Sequence, residues 1–259
     1  GAMLFDEKIV ELSENSDVLI AKYPDVPVID AGENSVVMPG LINAHTHLEF
    51  SKNKTTLEYG SFLTWLYSVM EHREDLVDGC KDECYVQALA KMAKYGITTI
   101  GATSSYGFDM NALANSAQKV VFFNEVIGSN PAAVDALFGD FKSRLAQSEK
   151  LASSTFFPAI AIHSPYAVHP ILIKHTLGIA KAKNYVVSTH FMESQAEREW
   201  LDKGSGEFKL FFENLLKMDK PVSDAKSFLA HFEEVKPLLI HAVQANESEL
   251  EMISQMDAS

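Results

Sequence analysis

The sequence is short of cysteine, of positive charge and of long apolar runs. Its 22 lysines and arginines are outnumbered by 35 aspartates and glutamates, which gives the 259 residues a formal net charge of −13. Nucleic acids and anionic membranes are bound through clustered positive charge, so we expect neither as a partner. No apolar run approaches the roughly 20 residues that span a bilayer, and no signal pattern opens the chain. We therefore predict a cytoplasmic protein that acts on a small molecule.

The two cysteines, Cys80 and Cys84, lie four residues apart in a segment that we interpret as helical. They share one helix face but supply too few ligands for a structural zinc site. We therefore expect reduced thiols that pack as small apolar side chains.

The first 32 residues have a different character from the rest of the chain. Residues 1–3 resemble the scar left by tag removal, and the runs 4–12 and 18–29 resemble strands. We interpret residues 4–32 as the remnant of a small β domain that precedes the main domain.

From residue 33 to residue 259, short apolar runs alternate with helical stretches, which is typical of βα units around a parallel sheet. We predict strands over 36–44, 97–103, 120–127, 157–162, 185–189 and 237–241. We predict helices over 61–70, 81–95, 132–147, 171–183 and 195–201, and a long loop or an insertion between Gly204 and the last strand. The fold class is α/β, a (β/α)8 TIM barrel; because such a barrel has eight strands, we expect two more after Ser259. An open parallel sheet exposes backbone donors and acceptors, so we expect a homo-oligomer.

The strongest local motif is an apolar strand that ends in His45-Thr46-His47. Residues two apart on a strand project to the same face, so both imidazoles can meet one ion at the carboxyl end of a barrel strand. A His-x-His pair also occurs by chance. The other motifs of the sequence therefore have to distinguish a metal-binding pair from a chance occurrence.

A second apolar strand ends in His190, and Glu193 follows three residues later. His190 can serve as a third nitrogen ligand, and Glu193 can carry a proton to and from water. The alternative is a core histidine followed by a carboxylate that favours the start of a helix.

Two further histidines, His163 and His241, also fall where predicted strands end. Five of the nine histidines thus share the edge at which barrel enzymes carry their chemistry. The remaining four lie in polar or helical surroundings and are predicted to be surface residues: His72, His169, His175 and His231.

Six motifs together resemble the amidohydrolase superfamily, in its cytosine deaminase, S-adenosylhomocysteine deaminase and triazine hydrolase branch. They are PGLINAHTHLEFS at 39–51, GITTIGAT at 96–103, HSPY at 163–166, THFMES at 189–194, GSGEF at 204–208 and LIHAVQ at 239–244. The resemblance covers residues 33–259 and implies a metal-dependent hydrolase that contains one divalent ion, zinc or iron.

The resemblance also implies a role for each strand-end residue. His45, His47 and His190 would bind the metal, and Glu193 would shuttle protons. His241 would assist the hydrolytic water, and His163 would contact the substrate. The superfamily places an aspartate ligand on its last barrel strand, which would follow Ser259. The predicted fourth strand, 157–162, has no lysine of the kind that bridges two metals in some relatives, so a single ion is expected.

Within the superfamily, LFDEKIVEL at 4–12 and the segment around Trp65 resemble the aminofutalosine deaminases of menaquinone biosynthesis. The resemblance implies hydrolytic deamination of an aminopurine-type substrate, 6-amino-6-deoxyfutalosine. Two alternatives remain open at this point: another enzyme of the branch, such as a chlorohydrolase or a different heterocycle deaminase, and an inactive core fragment. Such a substrate carries a carboxylate, for which the sequence offers three arginines: Arg73, Arg144 and Arg198.

Three other residues have two interpretations each. Phe50 and Trp65 line the substrate pocket or pack in the core. Glu125, near the end of a predicted strand, touches the substrate or pairs with a loop or helix end, and the sequence does not choose between these roles.

Overall fold

The computed structural model describes residues 1–53 and 57–256, with side chains at all of these positions except 76–78. The chain divides into two compact units, residues 1–39 and residues 40–259. The predicted domain boundary between residues 32 and 33 stays a prediction. None of the described helices has the length and apolar composition needed to cross a membrane.

The first unit contains two strands and one helix. Strand β1 (Ala2–Phe5) pairs antiparallel with β2 (Ile9–Ser13), and helix α1 (Ser16–Lys22) follows. The prediction of a strand over 18–29 is therefore wrong. Asn15 begins the helix instead, because its side chain accepts a hydrogen bond from the backbone N–H of Asp17 at 2.9 Å.

The second unit is built on one six-stranded parallel sheet. Its strands are β3 (Leu41–Thr46), β4 (Ile97–Ser104), β5 (Lys119–Val126), β6 (Phe156–Ile162), β7 (Val187–Phe191) and β8 (Pro237–His241). Each strand pairs with the next one along the chain. This consecutive parallel order confirms the predicted TIM-barrel fold class, and it brings all six carboxyl ends to one edge.

Helices connect and cover the strands. They are α2 (Phe62–Gly79), α3 (Asp82–Lys94), α4 (Met110–Ala114), α5 (Val134–Lys150), α6 (Pro170–Lys183), α7 (Gln195–Lys203), α8 (Glu207–Phe211), α9 (Ala225–Ala230) and α10 (Glu247–Gln255). Short 3₁₀ segments span Leu48–Phe50 and Pro131–Ala133, and a π-helical segment spans Phe212–Leu216. Of the two alternatives predicted after Gly204, the long loop is wrong, because α8, the π segment and α9 occupy much of this stretch. Phe208, Phe212 and Phe228 are fully buried there, and this apolar packing stabilises the segment.

Two strands begin later in the chain than predicted. Strand β3 starts at Leu41 rather than at residue 36, because the parallel ladder with β4 begins at the pair Leu41 and Ile97. Strand β7 starts at Val187 rather than at 185, and it continues through His190. The predicted strand over 237–241 is confirmed at both ends.

The two cysteines differ from the predicted reduced state. Cys80 and Cys84 form a disulfide, so the expectation of reduced thiols is wrong. Cys80 lies just before α3 and Cys84 lies in its first turn, which brings their Cα atoms within 5.2 Å, a separation that a disulfide can span.

Candidate active site

The five predicted strand-end histidines meet at the carboxyl edge of the sheet. His45 and His47 lie at the end of β3, His163 follows β6, His190 lies in β7 and His241 ends β8. The ring of His190 is central: its centroid lies 4.8 Å from that of His45, 5.0 Å from that of His163 and 5.6 Å from that of His241. Consecutive parallel strands produce this convergence.

Two imidazoles bring their Nε2 atoms close to that of His190. Nε2 of His190 lies 3.2 Å from Nε2 of His45 and 3.3 Å from Nε2 of His47. Nδ1 of His190 lies 2.9 Å from the carbonyl oxygen of His163. Because a carbonyl oxygen only accepts, Nδ1 carries the proton and Nε2 keeps a free lone pair.

The two nitrogen separations from His190 match the spacing that a divalent cation requires. A tetrahedral ion with metal–nitrogen bonds of about 2.0–2.1 Å requires ligand nitrogens roughly 3.3 Å apart, and the two separations from His190 agree with that spacing. Ligand atoms of His45, His190 and His241 also lie within 4.8 Å of one another.

Burial favours the neutral imidazoles that metal ligation needs. Burial lowers the pKa of His45 to about 4 and also lowers the pKa of His47. Burial lowers the pKa of His190 well below its usual value, and only 7% of this residue is exposed. Neutral histidines offer lone pairs over a wide pH range.

A buried carboxylate holds His163. Glu125, in β5, is 1% exposed, and its Oε1 accepts a hydrogen bond from Nδ1 of His163 at 2.6 Å. Its other oxygen accepts from the hydroxyl of Ser105. Burial raises the pKa of Glu125, but the attraction of His163 outweighs burial and holds this pKa well below its usual range. The pKa of His163 is raised because the effect of Glu125 exceeds the opposing effect of burial.

A second carboxylate, Glu193, is held less closely. Its Oε1 lies 3.4 Å from Nε2 of His241, and both side chains are about 30% exposed, at 29% and 30%. Burial raises the pKa of Glu193 above its usual value. Glu193 therefore combines solvent access with a raised affinity for a proton, which suits a proton carrier.

The loop that carries Glu193 is fixed by a residue that the sequence prediction missed. The buried carboxylate of Glu197 accepts hydrogen bonds from the backbone N–H groups of Met192 at 3.0 Å and Glu193 at 2.8 Å. Ser194 caps α7 by accepting from the N–H of Glu197. The spacing of Ser194 and Glu197 matches a capping box and could have identified Glu197 from the sequence.

Phe50 and Trp65 pack together in a small apolar cluster with Leu57 and Val69. The ring of Phe50 also lies 6.1 Å from the ring of His47, whereas the ring of Trp65 meets that of Phe62 at 5.5 Å. Phe50 thus borders the histidines, and both aromatics have a packing role. Their contact with a substrate stays a prediction.

A further buried carboxylate, Glu49, fixes the rim beside the histidines. It lies two residues after His47 and accepts from the N–H groups of Ser105 at 3.1 Å and Tyr106 at 2.8 Å. The loop after β4 is therefore bound to the segment that follows the His45 and His47 pair. Neither partner of Glu49 is near it in sequence, so no local pattern indicated this role.

Comparisons with known proteins find relatives over most of the chain. A family model described as the amidohydrolase family matches residues 36–258. The chain is 52% identical over 257 residues to the aminodeoxyfutalosine deaminase of a Nitratiruptor species, and the match covers 99% of this chain and 63% of that protein. It is 33% identical to the adenosine deaminase of Helicobacter pylori, with coverage of 92% and 58%.

A solved structure is also similar over most of the chain. The crystal structure of Helicobacter pylori aminofutalosine deaminase in complex with methylthio-coformycin superposes with a TM-score of 0.89 at 32% identity. The match covers 98% of this chain and 62% of that one. The chain thus spans less than two thirds of the length of each of these relatives.

Proposed function

Because the chain belongs to the amidohydrolase family, we propose that its histidine cluster is the core of a metal-dependent hydrolytic deaminase. The proposed substrate is an adenine-type nucleoside, 6-amino-6-deoxyfutalosine of menaquinone biosynthesis. The 52% identity to an aminodeoxyfutalosine deaminase supports the substrate. The observation that supports the chemistry is the approach of Nε2 of His45 and of His47 to Nε2 of His190, beside the more exposed pair of Glu193 and His241.

His45, His47 and His190 would hold one divalent ion, zinc or iron. When bound, such an ion supplies a Lewis acid that makes water acidic enough to react as hydroxide near neutral pH. The carbonyl of His163 fixes the tautomer of His190, so this ligand needs no rearrangement before it binds.

Glu193 is the proposed proton carrier. It takes a proton from the attacking water and delivers it to the ring nitrogen next to the carbon that bears the amino group. The carbon–oxygen bond forms, the remaining proton of the attached hydroxyl passes to the amino group, and the carbon–nitrogen bond breaks to release ammonia and leave the oxo product. His241, at 3.4 Å from Glu193, orients the water that attacks.

His163 is the proposed substrate contact. Glu125 occupies Nδ1, which leaves Nε2 as the ring atom available for a hydrogen bond to the heterocycle. Phe50, whose ring borders that of His47, supplies an apolar surface for the base.

The test is detection of the amino-to-oxo conversion by mass spectrometry. The metal-loaded protein is incubated with aminodeoxyfutalosine, adenosine and cytosine, and the metal-free protein serves as control. We expect selective conversion of aminodeoxyfutalosine, with a mass increase of about 1 Da and release of ammonia. Equal conversion of adenosine would remove the substrate assignment, and no conversion of any compound would contradict the deaminase.

A further inference from the structure

The three arginines of the chain differ in what they bind. Arg198 contacts Glu249 at 2.8 Å and also pairs with Asp202. Arg144 pairs with Asp140 at 3.0 Å and donates to the carbonyl oxygen of Glu125 at 2.9 Å. Within the part of the chain that the structure describes, Arg73 has no acidic partner, and its buried Nε has no hydrogen-bond acceptor.

Arg73 lies at the same edge of the sheet as the histidines. Its guanidinium stacks over the ring of Tyr106, with 4.4 Å between the central carbon and the ring centroid. Tyr106 belongs to the loop that follows β4, and this loop leaves the sheet at its carboxyl edge. The ring of Tyr106 in turn stacks on that of Phe108, at 5.5 Å and 14°.

The Tyr106 loop is rigidly connected to the candidate active site. The buried Glu49 accepts from the backbone of Ser105 and Tyr106, and Glu49 lies two residues after His47. The hydroxyl of Ser105 donates to Glu125, which holds His163. The position of Arg73 is thus fixed relative to the groups proposed to act on the substrate.

We infer that Arg73, with Tyr106 and Phe108, forms a subsite for a carboxylate attached to an aromatic ring on the substrate. The inference rests on the proposed function, because it names the residues that would bind the part of the proposed substrate that lies away from the amino group. Stacking on Tyr106 fixes the guanidinium plane and leaves its edge donors for a bidentate contact with a carboxylate. Phe108, 55% exposed, offers an aromatic face to the ring that carries the carboxylate.

The experiment compares three substrates that differ only at the far end. They are adenosine, an adenine nucleoside with a benzoate on its 5′ side, and the same nucleoside with a neutral benzamide. The variants are Arg73→Gln, which removes the charge, and Arg73→Lys, which keeps the charge without the planar fork. Lys94→Gln is the matched control, because it removes one positive charge from an exposed position in the last turn of α3.

We expect Arg73→Gln to lower kcat/KM for the benzoate nucleoside about 10- to 100-fold, mainly through KM. Activity on adenosine and on the benzamide should stay within about twofold of wild type, and Arg73→Lys should recover part of the loss. An equal loss on all three substrates would assign Arg73 a purely structural role, and no loss on the benzoate would overturn the subsite.

A binding measurement separates this inference from the proposed function. Calorimetry of the 6-oxo forms of the benzoate and benzamide nucleosides requires no turnover. If wild type binds the benzoate more tightly and Arg73→Gln abolishes that preference, the subsite stands even when no substrate is deaminated. Equal affinity of wild type for both compounds would overturn the subsite, whatever the activity.

Discussion

Two carboxylate–histidine pairs flank His190, and they differ in distance and in burial. Glu125 contacts His163 at 2.6 Å, and the carboxylate side chain is 1% exposed. Glu193 lies 3.4 Å from His241, and both side chains remain partly open to solvent. The two pairs have the same chemistry but lie at different places on the sheet edge: Glu125 is in β5 and His163 follows β6, whereas Glu193 follows β7 and His241 ends β8.

This difference in distance and exposure indicates which pair is suited to move a proton. Both oxygens of Glu125 accept hydrogen bonds, from His163 and Ser105, so a proton on this carboxylate would break a buried contact. Glu193 has one long contact and a raised pKa, so it can gain and lose a proton at small cost. We therefore propose that Glu125 and His163, the closed pair, position a ring, and that Glu193 and His241, the open pair, move the proton.

The largest effect is expected from Glu193→Gln. Glutamine has nearly the same size but cannot carry the proton, so kcat should fall about 10²- to 10⁴-fold while the metal stays bound. The measurements are turnover and metal content by mass spectrometry. Glu251→Gln, an exposed change of the same charge on α10, is the control. Turnover within tenfold of wild type would reassign the proton carrier.

A smaller effect is expected from Glu125→Gln. The amide oxygen can still accept from Nδ1 of His163, but the bond loses its ionic contribution, so kcat/KM should fall about tenfold. Metal content should not change, because Glu125 contacts His163 rather than His45 or His47. If Glu125→Gln costs more activity than Glu193→Gln, the assignment of the closed and open pairs is inverted.

The sequence predicted the fold class and the convergence of the five histidines, because both follow from local periodicity and strand order. A histidine at the end of a parallel strand must reach the carboxyl edge, whatever the loops do. The strand over 237–241 was predicted correctly, since Pro237 and His241 enclose an apolar run.

The partners of these histidines were harder to predict. Glu125 reaches His163 across 38 residues because β5 and β6 pair in the register that sets Glu125 opposite Ala161. A one-residue shift in that register would separate the two side chains, and no local pattern fixes it. The helix at Ser16 was missed for a different reason: the apolar residues after Asn15 resembled a strand, although Asn15 is a favoured N-cap residue.

A third buried carboxylate, Asp109, shows how His163 affects the pKa of Glu125. Asp109 is as buried as Glu125, but its Oδ1 accepts only from the hydroxyl of Ser104, at 2.6 Å, and its Oδ2 has no partner among the described residues. Burial raises the pKa of Asp109 to about 6, whereas His163 holds the pKa of Glu125 below its usual range. Depth of burial is the same in both cases, so the partner decides the direction.

Asp109→Asn should therefore change stability rather than chemistry. The folded state binds a proton on Asp109 more tightly than the unfolded state, whose pKa is near 3.8, so the free energy of unfolding falls as pH rises through about 6. The asparagine variant cannot ionise at this position and does not lose stability in this way. The difference in free energy of unfolding between Asp109→Asn and wild type should therefore grow in favour of the variant by about 1 kcal/mol between pH 5 and pH 7 and then level off. Urea unfolding at pH 5, 6, 7 and 8 measures this, with the exposed Asp219→Asn as control. An advantage that shrinks as pH rises would mean that a positive partner stabilises the charged form of Asp109, as His163 does for Glu125.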